Sequence, residues 1–284
     1  MHGPGALHLR MLLASFLALA TLILAGCYTN PVTGRKALVL LSQGEEASLG
    51  AQSFQDIRAR EKVSNEPAVN ARLQRIGRRI AQAVGADLPG ARWEFVVFES
   101  KELNAFALPG GKVGVYTGLM ALAESDSELA VVVGHEIGHV VARHGAERMS
   151  EAMVIAGVGA IGGTVVASKT EDQRLRQLFE LAYGGGTTLL RVLPHSRRNE
   201  TEADRMGLLY AARAGYDPGG ALTFWRKMAT QKKAAESAGR GSKGGSLDAI
   251  FSTHPTDEKR IADLETQVPA MRVVYEQSRN RDDT

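Results

Sequence analysis

Apolar and polar positions along the chain follow two periods, one helical and one extended. Ser42 stands three positions before Glu45, a capping-box spacing, and a helical apolar pattern runs on to about Arg60. Pro67 occupies a first-turn position, and Val69, Leu73, Ile76, Ile80 and Val84 then recur on one face, predicting a helix over Ala68–Val84. Arg92–Phe98 (RWEFVVF) is aromatic and β-branched and predicts a strand. Asn104–Leu108, the turn Pro109-Gly110-Gly111 and Lys112–Thr117 predict a hairpin or two short strands. From there helical signals dominate: Glu124–His144, a small and glycine-rich Glu151–Ser168, Glu171–Leu190, Asn199–Ala214 and Gly219–Lys232. A few strands followed by many helices predict an α+β domain, mostly helical with a small antiparallel sheet. The apolar run Met153–Ala167 is too short to span a membrane and reads as a buried helix. Ser237–Ser246 (SAGRGSKGGS) reads as a flexible loop, and the polar Gln277–Thr284 as a frayed, disordered tail.

The N-terminus is patterned differently. Residues 1–10 carry Arg10 and no acid, and the uncharged run Met11–Leu24 follows, as in a secretory signal. It ends in Leu24-Ala25-Gly26-Cys27, which resembles the lipobox of bacterial lipoproteins. That resemblance implies cleavage after residue 26, lipid on Cys27, a lipidated tether over 27–41 and a folded domain over 42–276. Acyl chains contribute about 0.8 kcal/mol per buried CH₂, so two or three would hold the protein on a membrane. Tyr28, in place of an aspartate that retains such lipoproteins at the inner membrane, implies the outer membrane of a diderm bacterium, facing the periplasm. Composition narrows the classes further. In 284 residues, 44% hydrophobic and 23% charged content argues against disorder and against a multi-span membrane protein. A net charge of +3 gives no reason to expect nucleic-acid binding, and a single cysteine excludes a disulfide framework or an all-cysteine metal site.

The chemistry concentrates at VVVGHEIGH. His135 and His139, four positions apart on a helix, lie about 6 Å apart along its axis on nearly one face, so both rings can reach one zinc ion at about 2.0–2.1 Å. Glu136 projects from the neighbouring face and can act as general base without binding the ion. Two histidines and a glutamate in so apolar a run would be costly to bury unless paired or metal-bound. The motif is short, however, and also arises by chance. Two common placements of a third donor fail: Ala142 and Gly145 stand where a metzincin has Gly and His, and Gly159 where a thermolysin-like spacing has Glu. His144 lies about 140° round the helix from His139 and is expected to stay outside the site. An acidic helix, SRRNETEADRMG, remains. Glu200 and Asp204 share a face there, while Glu202 points away as a solvated bystander. Glu200 could complete a His, His, Glu set and Asp204 could orient an imidazole; an exposed charged helix would explain the same residues on composition alone.

HEIGH, then SRRNETEADRMG, then STHPTDEKRI resembles the zinc metallopeptidases typified by HtpX and the CAAX prenyl endopeptidase, most closely their periplasmic lipoprotein branch of the BepA and LoiP type. CYTNPVTGRKALVLLS, NAFALPGGKVGVYTGLM and LPHSRRNETEADRMGLLYAARAGYDPGGALTFWRKM extend the likeness over nearly the whole mature chain, without the tetratricopeptide region that BepA carries. The resemblance implies a zincin-type (gluzincin) fold and one zinc per chain held by His135, His139 and Glu200. It implies Glu136 as base, Asp204 behind the ligands, and His254 (before Pro255) with Arg260 facing the zinc to stabilise the oxyanion. In some members that histidine binds the zinc and shuts the site; alternatively His254 merely precedes a helix start. The segment Gly111, Lys112, Val113, Gly114, Val115 and Tyr116 is a candidate substrate-binding edge strand, or an ordinary edge blunted by Lys112. The function expected is a zinc endopeptidase degrading misfolded or unassembled envelope proteins, possible partners being the outer-membrane assembly machinery. The alternative is a chaperone-like assembly factor with a latched or structural zinc.

Overall fold

The computed structural model describes residues 27–155, 173, 175–179, 182, 196–237, 254 and 258–282. Strands β1 (Cys27–Thr29) and β2 (Lys36–Leu38) pair antiparallel. Helix α1 (Gln43–Arg60) starts at the expected capping box, with the Ser42 hydroxyl accepting from the Glu45 amide and Glu45 accepting from the Ser42 amide. Helix α2 (Pro67–Val84) opens on Pro67 and buries Leu73, Ile76, Ile80 and Val84. That face lies on the sheet, and Gly77 lets the Phe95 ring approach: a Cβ there would sit 2.5 Å from it.

Strands β3 (Glu94–Phe98), β4 (Ala105–Leu108) and β5 (Lys112–Tyr116) form one sheet in the order β3-β5-β4. The β4–β5 hairpin is antiparallel, turned by Gly110 and Gly111 at φ of +85° and +87°, whereas β3 and β5 run parallel. The sheet is therefore mixed, where sequence suggested an antiparallel one. This order corrects the reading of Gly111–Tyr116 as a free edge. β5 is the central strand, paired on both sides, so its backbone has no free ladder to offer a substrate. Val113 and Val115 fill one core cluster and Tyr116 another, while Gly114 leaves room for Phe98 and Phe106.

Beyond the sheet come α3 (Thr117–Leu122) and α4 (Asp126–Val141), the latter buried along nearly its whole length. The sequence predicted one helix through His144, but the chain breaks after α4. Arg143 takes a left-handed φ of +56°, and α5 (His144–Ile155) starts in a new direction. Helix α6 (Arg197–Arg213) is capped by Ser196 and packs against α4. α7 (Gly220–Ser237) and α8 (Glu258–Asp282) complete the domain. The expected frayed tail is instead helical to Asp282, fixed where the buried Ser278 hydroxyl donates to the Ala212 carbonyl. The 27–41 segment, expected to be a tether, is part of the fold through the β1–β2 pairing and the Tyr28 hydroxyl, which donates to the Val141 carbonyl. The leader, residues 156–167 of the apolar run, most of the predicted helix over 171–190 and the loop at 238–246 lie outside the described residues. Among those described, no helix is long and apolar enough to cross a membrane.

The α4–α6 contact runs backbone to backbone. A Cβ at Gly207 would meet the His135 amide nitrogen at 2.7 Å, and one at Gly134 the Gly207 carbonyl at 2.9 Å. Gly207→Ala is expected to cost about 1–3 kcal/mol, read as a lowered urea midpoint at unchanged m. Gly44→Ala, where the nearest atom is 4.0 Å away, should stay within about 0.5 kcal/mol of the parent.

Candidate metal centre

α4 brings His135 and His139 to face Glu200 and Asp204 of α6, and all four are buried. His254, just ahead of α8, completes a group in which one donor atom from each of His135, His139, Glu200 and His254 lies within 4.8 Å of the others. His135 Nε2 is 3.0 Å from His139 Nε2, 3.3 Å from His254 Nδ1 and 3.5 Å from Glu200 Oε2. Glu200 Oε1 is 3.4 Å from His139 Nε2 and 3.1 Å from His254 Nδ1. A tetrahedral zinc with bonds of about 2.0–2.1 Å has donor–donor edges of about 3.3–3.4 Å. These separations and the N₃O donor set therefore fit one zinc ion.

The surroundings hold these groups in distinct states. Asp204 Oδ1 lies 2.8 Å from His135 Nδ1, and the Asp204 carboxylate also accepts from Arg260 Nε and Nη2 at 2.8 Å each. Burial opposes ionisation of Asp204, but Arg260 and His135 outweigh it and hold its carboxyl below the usual range. Glu200 is likewise held well below it, burial being outweighed by His254 and Arg260. Burial drives the His139 imidazole well down, keeping it neutral as a metal donor must be. Glu136 moves the opposite way: burial raises its carboxyl, only partly offset by His254 and His135. Its Oε1 lies 3.5 Å from His254 Nε2.

Arg260 borders the metal group, with Nη2 3.4 Å from His135 Nε2. Its guanidinium stacks 3.8 Å over Trp225, is held by Asp204, and brings Nη1 to 2.9 Å from Glu200 Oε2. In this arrangement it touches both a donor carboxylate, Glu200, and the Asp204 carboxylate that orients His135. An open cleft lined by Arg197, Arg198, Thr201, Lys259 and Asp263 reaches Glu200 and Arg260 from solvent.

Glu202 departs from the sequence reading, whereas His144 stays outside the metal group as expected. Glu202, expected to be a solvated bystander, is buried and accepts from Asn30 Nδ2 at 2.9 Å, from Thr33 Oγ1 and from Arg35 Nε. His144 lies outside the metal group, yet the break at Arg143 turns it back so that its Nδ1 comes within 2.9 Å of His139 Nδ1. The available signal was the polar turn Asn30–Arg35 (NPVTGR), unusual in a segment read as a tether.

A mostly helical α+β domain with two histidines on a buried helix, a glutamate on a second and a neighbouring acid of raised pKa defines a zincin-type metallopeptidase. Residues 67–268 match Peptidase family M48, and the chain belongs to that family of zinc-dependent metallopeptidases. It is a metalloendopeptidase. Mitochondrial metalloendopeptidase OMA1 of Saccharomyces cerevisiae is 30% identical over 278 residues, spanning 90% of this chain and 76% of that protein. Its namesake in Schizosaccharomyces pombe is 35% identical over 206 residues, 72% and 55% of the two chains. The beta-barrel assembly-enhancing protease of Escherichia coli is 29% identical over 254 residues, covering 88% of this chain and 49% of that one.

The Glu202 carboxyl is held at about 2: burial raises it, and hydrogen bonds from His144, Thr33 and Arg35 more than reverse this. A depressed folded-state pKa stabilises fully above the unfolded value of about 4.5 and is lost as pH falls towards 2. The stability gap between metal-free parent and Glu202→Gln, measured by urea unfolding, should be constant from pH 7 to 5 and close below pH 4.5.

Proposed function

We propose that the protein is a single-zinc endopeptidase of a bacterial envelope, with the ion held by His135, His139 and Glu200. The observation that carries this is the buried group of nitrogen and carboxylate donors at tetrahedral spacing, with Glu136 beside it. Zinc, when bound there, would polarise the scissile carbonyl and make an attacking water more acidic. Glu136, its pKa raised by burial, takes the proton of that water and returns it to the leaving amine. Asp204 fixes the His135 ring through Nδ1, and Arg260 holds Asp204 and Glu200 in register.

His254 has two roles in this reading. With Nδ1 among the other three donors and Nε2 towards Glu136, it fills the position that a water and a carbonyl need, which supports a closed resting state. Once swung away it can donate to the developing oxyanion. The same closure favours, as a second reading, a chaperone-like factor whose zinc is permanently latched.

The LAGC sequence supports lipid attachment at Cys27, and Tyr28 after it, in place of a retaining aspartate, supports an outer-membrane, periplasm-facing position. The assembly-enhancing relative supports substrates among misfolded or unassembled envelope proteins and proximity to the assembly machinery. The mitochondrial relatives share the enzyme class with a different compartment.

The chain from residue 27, carrying Cys27→Ser and loaded with zinc, should cleave unfolded casein. Glu136→Gln should lose activity by about 10²–10⁴-fold while still binding one zinc, and chelation should abolish cleavage. As latch and oxyanion donor together, His254 should leave two marks: His254→Ala is expected to bind zinc more weakly, through the lost donor, and to turn over more slowly, through the lost oxyanion contact. A parent that binds zinc tightly but stays inert, even as His254→Ala, would favour the chaperone reading. In cells, Cys27→Ser should move the protein from the membrane to the soluble fraction.

A further inference from the structure

An imidazole that gives Nε2 to a metal carries its proton on Nδ1, and something must accept that proton to fix the ring. His135 uses Asp204. His139 is served differently: its Nδ1 lies 2.9 Å from His144 Nδ1, and His144 Nε2 lies 2.9 Å from Glu202 Oε2. An ionised carboxylate only accepts, so one proton arrangement satisfies both contacts. His144 Nε2–H donates to Glu202, leaving Nδ1 bare to accept from His139 Nδ1–H.

Glu202 is held in turn by the N-terminal turn. Asn30 Oδ1 accepts from the Val32 and Thr33 amides at 2.9 and 3.2 Å, which fixes the turn, while its Nδ2 donates to Glu202 Oε1. Thr33 and Arg35 also donate to Glu202. Arg35 additionally makes a bidentate pair with Glu147 of α5 at 2.8 and 2.9 Å, so one side chain joins α5 to α6. This polar assembly is buried or half-buried, and its carboxylates are offset by partners rather than by water.

We propose that His144 and Glu202 are positioning residues for His139, and that the turn Asn30–Arg35 belongs to the metal centre as the outer end of a hydrogen-bonded chain. The inference rests on the reading that His139 holds zinc. It assigns the Asn30–Arg35 segment a task in metal retention that the donor residues alone do not reveal.

The test is zinc affinity of the chain from residue 27, by competition with a chromophoric chelator, beside urea unfolding of the metal-free protein. His144→Gln keeps a donor for Glu202 but offers His139 no acceptor at the Nδ1 position; His144→Asn keeps that acceptor. His144→Gln is expected to weaken zinc binding about 10–100-fold, with His144→Asn recovering most of the loss. Thr33→Val, which leaves both helices untouched, should weaken binding several-fold through Glu202 and serves if His144→Gln fails to fold. In the zinc-loaded parent, imidazole ¹⁵N shifts should show His144 protonated at Nε2 and bare at Nδ1. Unchanged zinc affinity in His144→Gln and Thr33→Val, or the opposite His144 tautomer, would overturn the proposal. A parent that binds no zinc would overturn the metal assignment as well.

Discussion

The structure depends on α4 and α6 meeting at backbone distance. Gly134 and Gly138 on one helix face Gly207 and Ala203 on the other, and a Cβ at any of the three glycines would come within 2.7–3.1 Å of the opposing backbone. Close-packed interiors have no slack to absorb an added methyl, so the separation is set by main chain. His135 and His139 ride on the same helix as Gly134 and Gly138, and Glu200 and Asp204 are on the same helix as Ala203 and Gly207. The contact that excludes side chains at its centre therefore sets the spacing of the side chains at its end. The apolar remainder of α4, Leu129 to Val133, packs into the main core and gives the metal group a rigid floor.

Within that frame the difficulty is charge. Glu136, Glu200 and Asp204 are buried together with two cations, Arg260 and the His135 imidazole, which burial lowers but Asp204 and Glu200 lift to about 9; His139 beside them is kept neutral by burial. Unpaired buried carboxylates are costly, and these two cations do not offset three of them. The carboxyls divide accordingly: Asp204 and Glu200, in contact with Arg260 and imidazole nitrogens, stay ionised, while Glu136 shifts towards protonation. A dication bound among these donors would take the place of the His135 proton, so metal binding, proton release and stability are expected to be coupled. The same division yields a base of raised pKa, Glu136, next to carboxylates of lowered pKa, Glu200 and Asp204.

Sequence periodicity disclosed much of this. His135, Glu136 and His139 were legible because a four-residue spacing on a helix is a geometric statement that tertiary structure need not supplement. Glu200 and Asp204 were legible as a shared face, and the α1 capping box and the Pro67 start were read from local rules. The misses are tertiary. Helical phase placed His144 away from His139, and only the left-handed Arg143, a residue type with no special liking for that conformation, returns it. Glu202 looks solvated on a helical wheel because its partners come from residues 30–35. The central place of β5 follows from strand order, which alternation does not encode, although Gly114 between two valines hinted at a crowded, two-sided strand.

The N-terminal segment joins these themes. Cys27 is three positions before Asn30, whose amide touches Glu202, and a chain spans at most about 3.3–3.6 Å per residue. With the lipid proposed at Cys27, the membrane anchor would lie within about 11 Å of the hydrogen-bonded chain that ends at His139. β1 is paired with β2, and Tyr28 is bonded to the end of α4, so no flexible spacer separates anchor from domain. A protein anchored in that way would not sweep a wide volume on a tether. Under that proposal its cleft would be held at a restricted height above the bilayer, and selection among unfolded chains would follow from what can thread to that height as much as from side-chain pockets. An anchor joined this closely would also mean that the Asn30–Arg35 turn has to fold against α5 and α6 beside the bilayer, so that anchoring and assembly of the proposed metal centre would be linked.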